Sequence, residues 1–195
     1  MRAPKRAALR DIESFIREKA AWILRTRARL QAVPETPKKQ FIDGETHLFL
    51  GHAYELRLVK AQRPALQFRD GFTLGSSAQK RGEQAFTRWY RQQALKVITE
   101  RVKIYSEMHG LAPKRVRITS ARTRWGSCSP DGSLNFTWRL VMAPLEVIDY
   151  VVVHELVHLK VKNHSKRFWA AVGRIMPEYA LHRKWLRKHG ERLGV

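Results

Sequence analysis

Residues 151–169 read VVVHELVHLKVKNHSKRFW and place three histidines around one glutamate in an otherwise apolar or basic run. The glutamate is Glu155, and the histidines are His154, His158 and His164. On a helix, residues i and i+4 share a face, so His154 and His158 can aim imidazole nitrogens at one point. The stretch therefore predicts a helix that is buried on its valine and leucine faces and carries a metal site on the remaining face.

Zinc is the metal that this donor set favours. Imidazole nitrogens bind zinc at about 2.0–2.1 Å, and catalytic zinc sites combine three protein ligands with an open position for water. Glu155 lies one position round the helix from His154, beside the metal but too offset to be its main ligand. That placement suits a general base acting on a metal-activated water as the water attacks a carbonyl. The sequence predicts a zinc-dependent hydrolase with Glu155 as the catalytic residue.

The third ligand depends on how the helix ends. His164 follows the second histidine with five residues between them, which is the spacing of metzincins. Those enzymes end the helix at an intervening glycine, a place that Val161 occupies here. Asn163 can substitute, because asparagine tolerates the left-handed conformation that closes helices. We expect His164 to be the third ligand; the alternative is a downstream Glu178 or His182, as in gluzincins.

Three segments together resemble the YgjP-like metal-dependent hydrolase family: HELVHLKVKNHSKRFW, RTRWGSCSPDGSLNFTWRLVMAP and APKRAALRDIESFIREKAAWI. That family is a zincin-like group related to the SprT and WLM metallopeptidases. The resemblance spans nearly the whole chain and implies a zincin-like peptidase fold. It also implies zinc bound by His154, His158 and His164, with Glu155 as catalytic base.

The resemblance has two departures. Members of the family carry a β-hairpin before the segment that matches RAPKR, so we expect a shortened start or a smaller first sheet. SprT-like enzymes carry a cysteine zinc ribbon, which the single Cys128 cannot form. Their role in DNA repair is therefore not carried over.

Length and composition fit one soluble domain in a reducing compartment. The chain has 195 residues, of which 44% are hydrophobic, enough to fill an ordinary core. One cysteine excludes an internal disulfide and makes the cytoplasm the expected location. No window approaches the roughly 18 apolar residues of a membrane span, and the N-terminus lacks the apolar segment of a secretory signal.

Hydrophobic periodicity predicts alternating helical and extended segments. The predicted helices cover residues 8–31, 81–109, 143–161, 165–176 and 177–188, and a proline-rich break at VPETPKK follows the first. The predicted strands are the runs HLFLGHAYELRLV and RVRITSA, a hairpin at LQFRDGFTL and the end of SPDGSLNFTWRLV. Because the order shows no βαβ alternation, we expect an α+β zincin-like fold with an N-terminal helix, a small antiparallel sheet and an H-E-x-x-H helix.

We expect a single domain over residues 1–195, with residues 1–40 as a basic helix and linker and residues 80–195 as the catalytic part. The net charge is +21, and residues 1–40 and 160–195 carry +7 and +8 of it. Basic ends of this kind suit nucleic acid or another acidic surface. The alternative is a solvated basic surface, since no motif for reading bases accompanies the charge. We expect weak, non-specific binding of nucleic acid at most.

Further residues have two interpretations each. Cys128 is a nucleophile or, as we expect, a structural thiol, because nothing local supplies a base. Arg124 binds a substrate carboxylate or an oxyanion, or it stacks on Trp125. Tyr150 lies four residues before His154 and is either an oxyanion donor or part of the core.

Two other functions compete with a peptidase. YbeY-type endoribonucleases share the H-x-x-x-H-x5-H spacing, and a basic chain would suit RNA, but they carry glycine after the first histidine. Glu155 therefore favours a peptidase that acts on a peptide or protein substrate. A nucleic-acid-binding module with structural zinc would need a closed four-ligand site, and such sites are usually rich in cysteine.

Overall fold

The computed structural model describes residues 8–31 and 39–194, and the chain divides into two compact units, residues 1–37 and 38–195. In the first unit, α1 spans Leu9–Gln31, which confirms the first predicted helix. The break predicted at VPETPKK lies, except for Lys39, outside the described residues. The helices in the described part of the chain lack the combination of length and hydropathy that a membrane span requires.

The second unit begins with a four-stranded sheet in the order β1-β2-β4-β3. Its strands are β1 Thr46–Phe49, β2 His52–Val59, β3 Leu66–Phe68 and β4 Phe72–Gly75. β1 pairs with β2 and β3 with β4 in antiparallel hairpins, whereas β2 and β4 run parallel. The hairpin predicted at the Asp-Gly dipeptide is confirmed.

The run HLFLGHAYELRLV, predicted as one strand, is a hairpin. Leu50 and Gly51 form its turn with φ values of 49° and 83°, and two positive φ values give the twist that suits a two-residue hairpin loop. The Leu50 N–H donates to the Val141 carbonyl at 2.9 Å. A Cβ on Gly51 would lie 2.9 Å from Pro144, so the turn packs closely on the start of the histidine-bearing helix.

A three-stranded sheet follows in the order β5-β7-β6, with β5 Arg115–Thr119, β6 Gly126–Cys128 and β7 Ser133–Thr137. β5 and β7 are parallel, and β6 is antiparallel to β7. The α+β class is confirmed, but the sheets are not purely antiparallel. In each sheet two strands run parallel, β2 with β4 and β5 with β7. The strand that lies between them in the sequence pairs antiparallel with the second of the two. β6 was not predicted, since three residues that include a glycine give no alternating pattern.

The remaining helices are α2 Gly82–His109, α3 Leu145–Val157, α4 Lys166–Ile175 and α5 Tyr179–His189. Gly110 closes α2 in the left-handed region with φ of 59°, as its position predicted. The start of α3 at Pro144 was also predicted, but the helix ends at Val157, four residues earlier than expected. α3 is buried on nearly all sides, and it carries the first histidine and the glutamate.

A buried ion pair fixes α3 against α2. Asp149 is 7% exposed, and Arg101 donates to its two carboxylate oxygens at 2.6 and 2.7 Å. The Tyr105 hydroxyl lies 3.2 Å from one of the same oxygens. A bidentate pair of this kind constrains direction as well as distance, so it limits rotation of α3 and with it the aim of His154.

Candidate metal centre

The three histidines come from the end of α3 and the segment that follows it. His154 lies in the last turn of α3, and His158 is the residue that ends the helix, with φ of −63° and ψ of −15°. The next two N–H groups donate to carbonyls three residues back, at 3.0 Å each, which tightens the turn. The expected left-handed Asn163 is wrong, because positive φ outside glycine occurs only at Phe41 and Leu50 in the described chain. The tight turn ends the helix instead.

One nitrogen from each histidine converges on a single point. The Nε2 atom of His164 lies 2.9 Å from that of His154 and 3.2 Å from that of His158. One donor atom from each ring lies within 4.8 Å of the other two. Tetrahedral zinc with imidazole ligands at about 2.0–2.1 Å needs nitrogens about 3.3 Å apart, so the spacing fits this ion.

The protonation of the rings also fits a metal. Burial lowers the pKa of His154 to about 3, with smaller contributions from the charges of the other two histidines and Arg183. Burial also lowers the pKa of His158. The Nδ1 atom of His158 lies 2.9 Å from the Val161 carbonyl and can only donate to it, so Nε2 keeps its lone pair. Neutral imidazoles with free Nε2 lone pairs are the form that binds zinc.

Phe168 on α4 packs against all three histidines. Its ring centroid lies 4.9 Å from that of His154, 4.5 Å from His158 and 4.8 Å from His164, and the side chain is fully buried. Trp169 stacks on His164 at 5.7 Å with an interplanar angle of 24°. These rings restrict the imidazoles to a narrow range of orientations, which favours a preformed site.

Glu155 is buried beside this cluster. It is 5% exposed, and its Oε2 atom has no hydrogen-bond partner among the residues described. Burial raises the pKa of its carboxyl to about 8, and the charge of Arg124 opposes the rise. A desolvated carboxylate without a partner is costly unless a cation or a water compensates it, so its surroundings fit a place next to a metal.

Gly126 in β6 makes room for Glu155, a role that the sequence did not reveal. A Cβ at Gly126 would lie 2.6 Å from both Cγ and Oε1 of Glu155, closer than non-bonded atoms approach. The glycine in RWGSCS was a signal for such a close approach, because a glycine inside a strand often marks one. β6 and α3 therefore meet at the carboxylate.

Gly126→Ala is expected to displace the Glu155 carboxylate and to lower hydrolysis by about 10–100-fold, the cost of misplacing a reacting group by about 1 Å. Zinc content should stay at the wild-type level, since the histidines are not touched. Gly75→Ala is the matched control, because its nearest neighbours would lie 3.7 Å away or farther. Rates on an unfolded protein substrate and metal analysis check both variants; a wild-type rate in Gly126→Ala would contradict the role of this contact.

The structure bears on several of the alternatives raised by the sequence. Cys128 is half-buried, and burial raises the pKa of its thiol, which disfavours a nucleophile. Of the two interpretations of Arg124, stacking on Trp125 is wrong, because the cation–π pairs of the described residues do not include Arg124. Glu178 and His182 do not join the three histidines in any potential metal-binding group that the structure describes.

The family comparison extends these observations. The family described as YgjP-like, metallopeptidase domain, matches residues 1–189. This chain belongs to the YgjP-like metallopeptidase family. Membership confirms the resemblance seen in the sequence, and at family level it makes the protein a metal-dependent peptidase.

A solved structure is similar to part of this YgjP-like chain. This structure is the crystal structure of the metallopeptidase zymogen of Pyrococcus abyssi abylysin, which is 23% identical in sequence to this chain and superposes with a TM-score of 0.42. The match covers 47% of this chain and 93% of the abylysin chain. No curated protein matches the sequence. The assignment to the YgjP-like family therefore rests on the match over residues 1–189.

Proposed function

We propose that this chain is a zinc-dependent peptidase in which His154, His158 and His164 hold the ion and Glu155 is the general base. The observation that carries the proposal is the convergence of three Nε2 atoms beside a buried carboxylate. Residues 80–195 form the catalytic part in this account. We also propose a cytoplasmic location, because the single cysteine, Cys128, is a free thiol, as is usual in a reducing compartment.

The donor set supports zinc over magnesium and calcium. Three imidazole nitrogens without a carboxylate or thiolate suit zinc, whereas magnesium and calcium prefer oxygen ligands. When bound, the ion supplies a Lewis acid that lowers the pKa of water toward about 7 and polarises a carbonyl. The protein supplies the ligands, their orientation through Phe168, and a buried pocket for the carboxylate.

Glu155 has the position and the surroundings of a base. Its carboxylate lies on the same turn as His154 and is screened from solvent by β6. As a peptide carbonyl is attacked, Glu155 accepts the proton of the attacking water. It then returns the proton to the amide nitrogen that leaves, so one residue serves as base and then as acid.

The position of β6 supports a peptide as the substrate. β6 lies at the edge of its sheet, and within the described residues it pairs with β7 alone. The free edge of a strand binds an extended peptide through main-chain hydrogen bonds. Since Gly126 of β6 contacts Glu155, a peptide on this edge would bring its carbonyl groups next to the base.

The test compares two substrates. The zinc-loaded protein is expected to cleave an unfolded protein such as casein, to stop when a chelator removes zinc, and to recover when zinc is added back. Single-stranded RNA should remain intact under the same conditions. Cleavage of RNA without cleavage of the protein would favour a YbeY-type endoribonuclease instead.

The net charge of +21 motivates a separate prediction about nucleic acid. We expect weak binding that is indifferent to base sequence and falls steeply between about 50 and 200 mM salt, because each neutralised phosphate releases counterions. Fluorescence anisotropy with labelled RNA and DNA of several sequences measures it. If no binding is detected even at low salt, the charge serves only as a solvated surface.

A further inference from the structure

Arg183 on α5 is held next to the proposed metal centre by aromatic stacking. Its guanidinium carbon lies 4.5 Å from the centroid of the Trp169 ring. The Trp169 ring in turn lies 5.7 Å from His164 and 5.9 Å from His154. Tyr179 stacks on Trp169 at 5.4 Å, which stiffens this support. Trp169 therefore links the Arg183 guanidinium to two of the three histidines through one aromatic ring.

Two further cations approach the site from other segments. Arg124 lies two residues before Gly126, the residue that approaches Glu155, and Lys162 lies between α3 and α4, two residues before His164. Arg124, Lys162 and Arg183 are all exposed, and none forms a salt bridge among the described residues. Three unpaired cations around a centre that would hold a dication repel one another, and an anionic ligand would relieve that repulsion.

We propose that Arg183 binds a carboxylate of the substrate beside the metal centre, while Arg124 and Lys162 contribute positive potential. The proposal rests on the proposed peptidase function and names its substrate class: peptides with an acidic side chain, or a free C-terminal carboxylate, near the bond that is cleaved. Arg183 carries the contact because a stacked guanidinium keeps its planar donors in a fixed fork that matches a carboxylate. No hydrogen bond to a described protein group occupies those donors.

The test measures binding without turnover in the Glu155→Gln background. The probes are peptides of one length that differ by Glu against Gln, each prepared with a free and with an amidated C-terminus. We expect the peptide with the extra carboxylate to bind about tenfold tighter, the size of effect that a charge-assisted contact gives. Adding Arg183→Gln should bring the ratio of the two affinities to about one, and Arg183→Lys should give an intermediate ratio.

Arg187→Gln is the matched control, because it removes the same charge from the same exposed helix and should preserve the ratio. If the Glu peptide binds more tightly than the Gln peptide, Arg183 binds a side-chain carboxylate. If the peptide with a free C-terminus binds more tightly than the amidated one, Arg183 binds the C-terminal carboxylate. Equal affinities in the parent, a ratio that survives Arg183→Gln, or an equal loss for all peptides would overturn the proposal. So would weakened RNA binding without any difference between peptides.

Hydrolysis by the chain with Glu155 intact is measured separately. If peptides bind with the expected ratio but are never cleaved, the proposed function fails while the carboxylate site stands. If peptides are cleaved with no preference for the carboxylate, the proposed function stands and the role of Arg183 fails. The two proposals therefore have distinguishable outcomes.

Discussion

Glu155→Gln is expected to fold, to bind one zinc ion per chain, and to hydrolyse protein substrates about 10²–10⁴-fold more slowly than wild type. Glutamine keeps the shape of the side chain and its fit against Gly126, and it leaves the three imidazoles untouched. What is lost is the acceptor for the proton of the attacking water. The measurements are the hydrolysis rate and the metal content of the same preparation.

Glu146→Gln is the matched control for this variant. Glu146 lies in the first turn of the same helix and is exposed, so its substitution changes the net charge equally and should leave the rate unchanged. A Glu155→Gln variant that kept the wild-type rate would remove the general base from the account. It would also revive the ribonuclease alternative, in which the residue after the first histidine is not the base.

His154→Ala and His158→Ala are expected to abolish both stoichiometric zinc and activity. Two remaining imidazoles cannot hold the ion against a chelator, because catalytic sites depend on three protein ligands. His164→Ala should have nearly the same effect, although His164 is exposed and lies on the loop before α4. Zinc per chain after dialysis against a weak chelator measures the loss.

His182→Ala is the control for the histidine series and tests the gluzincin alternative at the same time. We expect it to keep its zinc, since His182 does not approach the three histidines within the part of the chain described. If His164→Ala retained zinc and His182→Ala lost it, the ligand set would be wrong. Full zinc in His154→Ala and His158→Ala would remove the metal centre from α3 altogether.

Local patterns were sufficient to predict much of this architecture. The i, i+4 spacing of His154 and His158 predicted that both lie on one helical face, and the structure brings them together with His164. The long apolar periodicity of α2 and its closure at Gly110 were also predicted. Each of these features is encoded within a few neighbouring residues, where helical geometry leaves little freedom.

The features that were missed depend on contacts between distant segments. β6 is defined by its pairing with β7 and by the approach of Gly126 to Glu155, and neither contact leaves a periodic pattern. The stacking of Arg183 on Trp169 joins α5 to α4 and has no signal in either segment alone. The end of α3 was misplaced because a tight turn, rather than a left-handed Asn163, stops the helix.

X-ray absorption at the zinc edge is the decisive measurement for the metal centre, because it counts the ligands of the ion in solution. We expect one zinc per wild-type chain with three imidazole nitrogens and one or two light oxygen ligands at about 2.0–2.1 Å. In His164→Ala loaded with excess zinc, the imidazole count of any bound ion should fall to two. A sulfur ligand in the wild-type spectrum, or three imidazoles that persist in His164→Ala, would show that the ion is not held by His154, His158 and His164.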